Sequence, residues 1–100
     1  MIVVAGTLPI KPEMKEEAGQ LALETQTATC AEPGCRTYRF SFDLAEPHTL
    51  RIFEEWESEE ALSSHFKTEH MKKFQKNVPR ILAGKPSATK YTVSSAASLF

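Results

Sequence analysis

The sequence predicts an α+β domain in which helices cover one face of a four-stranded antiparallel sheet. Segments of β-branched or alternating residues are separated by segments whose apolar residues recur at helical spacing. Their order is strand, helix, strand, strand, a helix in two pieces, and strand. The two central strands are joined by a short turn, which favours an antiparallel hairpin. This order is the split βαβ, or ferredoxin-like, arrangement.

The first third of the chain predicts one strand and one long helix. Residues 2–8 open with three β-branched residues, which suit a pleated sheet, and Pro9 ends the strand. Pro12 fits the first position of a helix, where no N–H is needed, and the helix is expected to run to about Thr29. Gly34 lies in the turn that follows. The apolar stripe of the helix is Met14, Ala18, Leu21, Ala22 and Thr25.

A hairpin is predicted over residues 36–56. Residues 36–43 alternate between two faces, and residues 49–56 form the partner strand beyond a turn at residues 45–48. The first strand carries Arg36, Tyr38, Phe40 and Phe42 on one face. The second carries Leu50, Ile52, Glu54 and Trp56 on one face.

The remaining chain predicts a broken helix and a last strand. Ser58 and Thr68 are suitable N-caps for two successive helical pieces. Gly84 and Pro86 close the second piece, and residues 88–93 form the final strand. The stripe of the second piece is Met71, Phe74, Val78, Ile81 and Leu82.

Length and composition narrow the class of protein. The 100 residues fit one domain, which we place at residues 1–93 with a tail at residues 94–100. The 12 basic and 13 acidic residues give a net charge of −1, which disfavours a nucleic-acid partner. No apolar run approaches the ~18 residues of a membrane span, and the first residues are typical of a strand rather than a signal peptide. We expect a cytoplasmic protein in which Cys30 and Cys35 are free thiols.

The strands carry apolar residues on more than one face, yet no further helix remains to cover the second face of the sheet. A second copy of the same sheet would cover it. We therefore expect a homodimer formed by face-to-face sheet packing with two-fold symmetry.

Four short motifs occur in order along residues 2–93. They are Lys11-Pro12 at the start of the first helix, Glu32-Pro33-Gly34-Cys35 before the strand with Tyr38, Glu54-x-Trp56-x-Ser58 before Ala61-Leu62, and His65 followed by His70 and Phe74. In this order the chain resembles the antibiotic biosynthesis monooxygenase (ABM) domain family. The resemblance implies a dimeric α/β barrel.

The resemblance also implies an activity, namely the oxygenation of quinol, phenolic or polyketide-like aromatic substrates without a metal or organic cofactor. Other relatives are isomerases that act on small carbonyl compounds. One branch degrades haem, with a tryptophan at the position of His65, a ligating histidine at that of Gln75 and an asparagine near Thr7. These three departures imply that haem is not a partner.

The candidate catalytic residues are His65, His70 and Glu54. An imidazole titrates near neutral pH and can accept a proton from a phenol or an enol. The alternative for His65 is a core residue with a satisfied hydrogen bond, and for His70 a residue at a helix entry. Glu54 lies on an apolar strand face and needs a partner, either Arg36 or a histidine, or else it is an acid or base with a raised pKa.

The candidate substrate-binding residues are aromatic. Tyr38 and Trp56 could stack on an aromatic substrate, or both could be core residues of their strands. Phe40, Phe42, Phe66 and Phe74 are expected in the core, with one or two of them touching the cavity, and Phe66 and Phe74 are the candidates for contact with substrate. No metal site is expected, because the two histidines are not spaced i, i+4 on one helix and no third ligand stands out.

Three functions fit this inventory of residues. The first is a cofactor-independent monooxygenase, and the second is an isomerase or other proton-transfer enzyme that works without O2. The third is a dimeric module that binds a small molecule without turning it over. The same pocket serves all three, so the sequence does not choose among them.

Overall fold

The computed structural model describes residues 1–100 and confirms the predicted order of elements. A single 3₁₀ turn, Pro12–Met14, leads into the first helix. The strands are β1 (Ile2–Pro9), β2 (Cys35–Phe42), β3 (Thr49–Trp56) and β4 (Ser87–Thr92). The helices are α1 (Lys15–Thr29), α2 (Glu59–His65) and α3 (Glu69–Ile81).

The sheet has the strand order β2-β3-β1-β4, and every neighbouring pair is antiparallel. One row across it runs from Tyr38 through Glu54 and Val4 to Lys90. This row lies on the face that the helices cover, which places the carboxyl group of Glu54 near the middle of the covered face. The α+β, ferredoxin-like fold is therefore confirmed.

One detail of the hairpin was predicted wrongly. A register shift separates Cys35 from Thr37, so Cys35 pairs with Trp56 and the intervening Arg36 has no partner in the ladder. An extra residue in one strand reverses the alternation on one side of it, as in a β-bulge. Arg36 is exposed, and it does not share the helix-covered face with Tyr38.

The helices form as their local signals predict. The Ser58 hydroxyl accepts a hydrogen bond from the Ala61 amide at the start of α2, and the Thr68 hydroxyl accepts one from the Met71 amide at the start of α3. Helix α3 presents Met71, Phe74 and Ile81 to the core. Cys30 and Cys35 are free thiols, as expected. None of the helices has the length and apolar character needed to cross a membrane.

The second face of the sheet carries apolar side chains that no helix covers. Val3 and Ala5 of β1 lie on this face between Phe53 of β3 and Tyr91 of β4. Phe53 is 43% exposed and Tyr91 is 52% exposed. A large aromatic pair on an open sheet face is the pattern that the homodimer prediction requires.

Candidate active site

A carboxylate lies between the two candidate histidines. Glu32 Oε2 is 2.8 Å from His65 Nδ1 and 2.6 Å from His70 Nε2. His65 is fully buried, the His70 side chain is 22% exposed and the Glu32 side chain is 10% exposed. We call these three residues the Glu-His-His cluster. The two histidines were predicted as candidate catalytic residues, but Glu32 was not. Glu32 lies on the loop between α1 and β2.

Two local structures fix the cluster. At the junction of α2 and α3, the Thr68 amide and hydroxyl both donate to the carbonyl of His65, at 3.1 and 2.8 Å, which sets the spacing of the two histidines. On the other side, Gly34 has a φ of 80°, and a Cβ there would lie 2.6 Å from Cβ of Ala61. Only glycine lets the loop that carries Glu32 pack this closely against α2.

Aromatic rings surround His65. Its ring centroid lies 4.8 Å from that of Trp56, 5.2 Å from that of Tyr38 and 5.4 Å from that of Phe66. Trp56 and Tyr38 are fully buried and line neither apolar cavity described below. In this structure both are therefore core residues, the alternative that the sequence analysis left open.

Glu54 is buried beside this aromatic group. Its Oε1 accepts a 2.8 Å hydrogen bond from Nε1 of Trp56. Burial raises the pKa of Glu54, the Trp56 hydrogen bond partly offsets that increase, and the charge of Glu32 adds to it. Of the alternatives left open for Glu54, the ion pair with Arg36 or a histidine is not formed, because both histidines bind Glu32 and the Arg36 guanidinium contacts Met1 Sδ. The raised pKa agrees with the other alternative.

Burial favours the neutral forms of His65 and Tyr38. Burial lowers the pKa of His65, although the Glu32 carboxylate opposes that effect, so the ring is uncharged near neutral pH. Burial also raises the pKa of Tyr38 above its ordinary value. The phenol therefore keeps its proton, which points at Met71 Sδ across 3.9 Å. Met71 connects this group to the larger cavity, because it also lines the cavity wall.

The larger cavity has a volume of about 450 Å³ and lies between α3 and the covered face of the sheet. Its lining is mostly apolar, with Gln75 and Ser87 as its two polar side chains. Phe74 lines it, as expected. Its further lining residues are Leu8, Ile52, Met71, Val78, Pro79, Pro86 and Ala88.

A second cavity of about 360 Å³ lies on the α2 side. Phe66 lines this cavity but is 50% exposed, so its expected place in the core was wrong. Phe74 is buried and lines the larger cavity, so the two predicted residues lie in different cavities. Ala88 of β4 borders both cavities. On β3, Glu54 lies on the same face as Ile52, which lines the larger cavity. Across the sheet, Glu54 pairs with Val4, which lines the smaller cavity.

Gly6 shapes the part of the wall that both cavities share at Ala88. A Cβ at Gly6 would lie 2.4 Å from the carbonyl oxygen of Ser87 and 2.8 Å from Cβ of Ala88. The missing side chain lets β4 pair closely with β1 and bring Ser87 and Ala88 to the cavity wall. The sequence analysis missed Gln75 and Ser87 as lining residues. For Gln75 the available signal was its position four residues after Met71 on the same helix.

Comparisons with known proteins agree with this fold. The model of the family described as antibiotic biosynthesis monooxygenase matches residues 1–77. An uncharacterised protein of Synechocystis is 38% identical over 89 residues, which are 89% of this chain and 60% of that protein. The chain thus matches less than two thirds of the length of that relative. "Putative monooxygenase YcnE" of Bacillus subtilis is 31% identical over 74 residues, which are 74% of this chain and 78% of that protein.

A solved structure is similar over the whole chain. It is a Deinococcus radiodurans protein described as a putative antibiotic biosynthesis monooxygenase, with a TM-score of 0.92 and 25% identity. The similarity covers 100% of this chain and 99% of that one. Given the match over residues 1–77 and the shared fold, the chain belongs to the antibiotic biosynthesis monooxygenase family.

Proposed function

We propose that the protein is a cofactor-independent monooxygenase that oxidises an electron-rich quinol, phenolic or polyketide-like aromatic with O2. The observation that carries the proposal is the 450 Å³ apolar cavity whose wall residue Ile52 shares a face of β3 with Glu54, a buried carboxyl group with a raised pKa. An apolar pocket with few polar groups is typical of sites for small, largely apolar ligands. Gln75 and Ser87 are placed to orient such a ligand by hydrogen bonds.

Glu54 is the proposed proton acceptor. A carboxylate with a raised pKa is a stronger base than an ordinary one and is better matched to neutral pH. For a substrate with an activated CH2 group, Glu54 takes one proton and the resulting carbanion reduces O2. One oxygen atom becomes the product carbonyl and the other leaves as water with both substrate hydrogens. The substrate supplies all the electrons, so the reaction needs no external reductant.

His65 and His70 have a supporting place in this proposal. Neither histidine lines the larger cavity, and neither does Glu54, but both histidines bind Glu32 whereas Glu54 shares a strand face with the wall residue Ile52. The His65 ring packs against Trp56, which donates to Glu54. His65 is therefore a positioning residue for the indole that holds the proposed base, and direct proton transfer by either histidine stays a prediction.

Oxygen uptake with a panel of quinols and anthrones, in the presence of a chelator, tests the proposed activity. We expect uptake with product formation, and a rise in KM of roughly 10-fold or more in Val78→Phe, whose added ring fills the cavity. Lys76→Phe is the matched control, since Lys76 is exposed on the same helix and lines no cavity. No uptake with any compound, or equal kinetics in both variants, would contradict the proposal.

We also propose that two chains pair through the open face of their sheets. The exposed Phe53 and Tyr91 on that face support this, because burying two such rings per chain gives the association a hydrophobic driving force. Phe53→Arg is expected to yield a monomer in light scattering after size exclusion. Leu44→Arg is the control, since Leu44 is exposed in the turn between β2 and β3. A Phe53→Arg protein with unchanged mass would contradict this interface.

A further inference from the structure

The Glu-His-His cluster lies apart from the proposed oxidation cavity and has its own chemistry. We propose that Glu32, His65 and His70 form a site for one divalent transition-metal ion of the zinc class. Two imidazoles and one carboxylate are a donor set that binds zinc in proteins, with a fourth position left for water. The sequence offered no third ligand beside the histidines, and the structure supplies it in Glu32.

The three donor atoms lie close together, with the Glu32 carboxylate between the two imidazole nitrogens. His65 Nδ1, His70 Nε2 and a Glu32 oxygen all lie within 4.8 Å of one another. Zinc binds nitrogen and carboxylate oxygen at about 2.0–2.2 Å, so its ligand atoms lie roughly 3–3.5 Å apart. The present contacts of 2.6 and 2.8 Å to Glu32 are hydrogen bonds, and each lengthens by a few tenths of an ångström when an ion binds. The two imidazole nitrogens, which lie within 4.8 Å of each other, move closer by roughly 1–2 Å through rotation of the partly exposed His70 side chain.

The frame around the donors is rigid enough to preorganise them. Thr68 fixes the spacing of the two histidines through its paired hydrogen bonds to the His65 carbonyl. Gly34 anchors the loop of Glu32 against α2. Supporting contacts of this kind, which orient the ligating side chains, raise metal affinity.

An ion can reach the cluster from solvent. Glu32 lines a cleft of about 420 Å³ together with Glu57 and Glu60, two exposed acidic residues that attract a cation. The His70 side chain is also partly exposed. His65 ligates through Nδ1 in the tautomer that carries its proton on Nε2.

The metal site can be tested separately from the proposed oxidation, although its ligand His65 also packs against Trp56. None of the three ligands lines the 450 Å³ cavity, so the proposed metal stabilises the junction of α2 and α3 rather than acting on a substrate. Failure of the metal site would leave oxygen uptake in the presence of chelator untouched. Failure of the oxidation would leave metal binding untouched.

Calorimetric titration of chelator-stripped protein with Zn2+ tests the site, and Co2+ absorption reports the geometry. We expect one ion per chain with a tetrahedral Co2+ spectrum. His70→Gln and Glu32→Gln should each lower the affinity for Zn2+ by at least roughly 10–100-fold. That is the usual loss when a residue that only supports a metal ligand is replaced. His48→Gln is the matched control, because His48 is exposed in the turn between β2 and β3.

Both variants keep a polar side chain of similar size, and thermal melting without metal verifies that they fold. Since Zn2+ that binds only the folded state raises its stability, the wild-type Tm should rise with Zn2+ while that of folded His70→Gln should not. A wild type that binds no Zn2+ in a one-to-one ratio would overturn the proposal. Equal affinity in wild type, His70→Gln and Glu32→Gln would overturn it as well.

Discussion

Glu54→Gln is expected to lower kcat/KM for the oxidised substrate by about 10²–10⁴-fold, the usual contribution of a general base. The amide is isosteric and its oxygen still accepts the hydrogen bond from Trp56 Nε1, so the local packing around residue 54 is kept. What is lost is the ability to take a proton. Glu46→Gln is the control, since Glu46 is exposed in the turn between β2 and β3. A Glu54→Gln protein with the wild-type rate would remove Glu54 from the mechanism.

The same substitution should stabilise the fold at neutral pH. Because the pKa of Glu54 is raised above the ordinary 4.5, its contribution to stability is fully present below pH 4.5 and is lost as pH rises through the folded-state pKa. Glutamine carries no charge to desolvate, so the variant should be more stable than wild type at neutral pH, with a smaller difference in acid. Denaturant unfolding at both pH values measures this. A loss of stability at neutral pH would contradict the account.

Trp56→Ala is expected to destabilise the fold by about 3–5 kcal/mol, the usual cost of removing a fully buried large aromatic side chain. Trp56 is 0% exposed and packs against both Tyr38 and His65. Removing the indole would leave a cavity and would also remove the hydrogen bond to Glu54. Denaturant unfolding measures the change in free energy, and a cost below about 1 kcal/mol would contradict the assigned core role.

Trp56→Phe separates packing from hydrogen bonding. The ring keeps most of the packing, but the donor to Glu54 is gone, and that hydrogen bond lowers the pKa of Glu54. The pKa should therefore rise further in the variant. If the Glu54 carboxylate is the base, the acid limb of the pH–rate profile should move to higher pH relative to wild type. An unmoved acid limb would show that Trp56 does not tune the base.

The elements that could be predicted from sequence depend on local signals. The caps at Ser58 and Thr68 and the alternation of the hairpin are set by neighbouring residues, so the element order and ladder followed from the chain. The face of Arg36 was predicted wrongly because a bulge next to it is set by pairing with β3. A period of two carries no information about where an extra residue is inserted.

The site was only partly predictable for the same reason. Glu54, His65 and His70 stand out as polar residues on apolar or helix-entry positions. Glu32, the partner of both histidines, does not stand out in the sequence. It lies 33 and 38 positions from them, and only the fold brings the three side chains together. The cavity wall likewise depends on the close approach that Gly6 permits between β1 and β4, which no local pattern encodes.

The most direct test of the central claim is turnover of an anthrone-type substrate under isotopically labelled O2 with chelator present. We expect one labelled oxygen atom in the product carbonyl and the second in water. Glu54→Gln should form both labelled products much more slowly than wild type. Product that carries no label, or product formed equally fast without O2, would contradict the oxidation and favour a proton-transfer reaction in the same cavity.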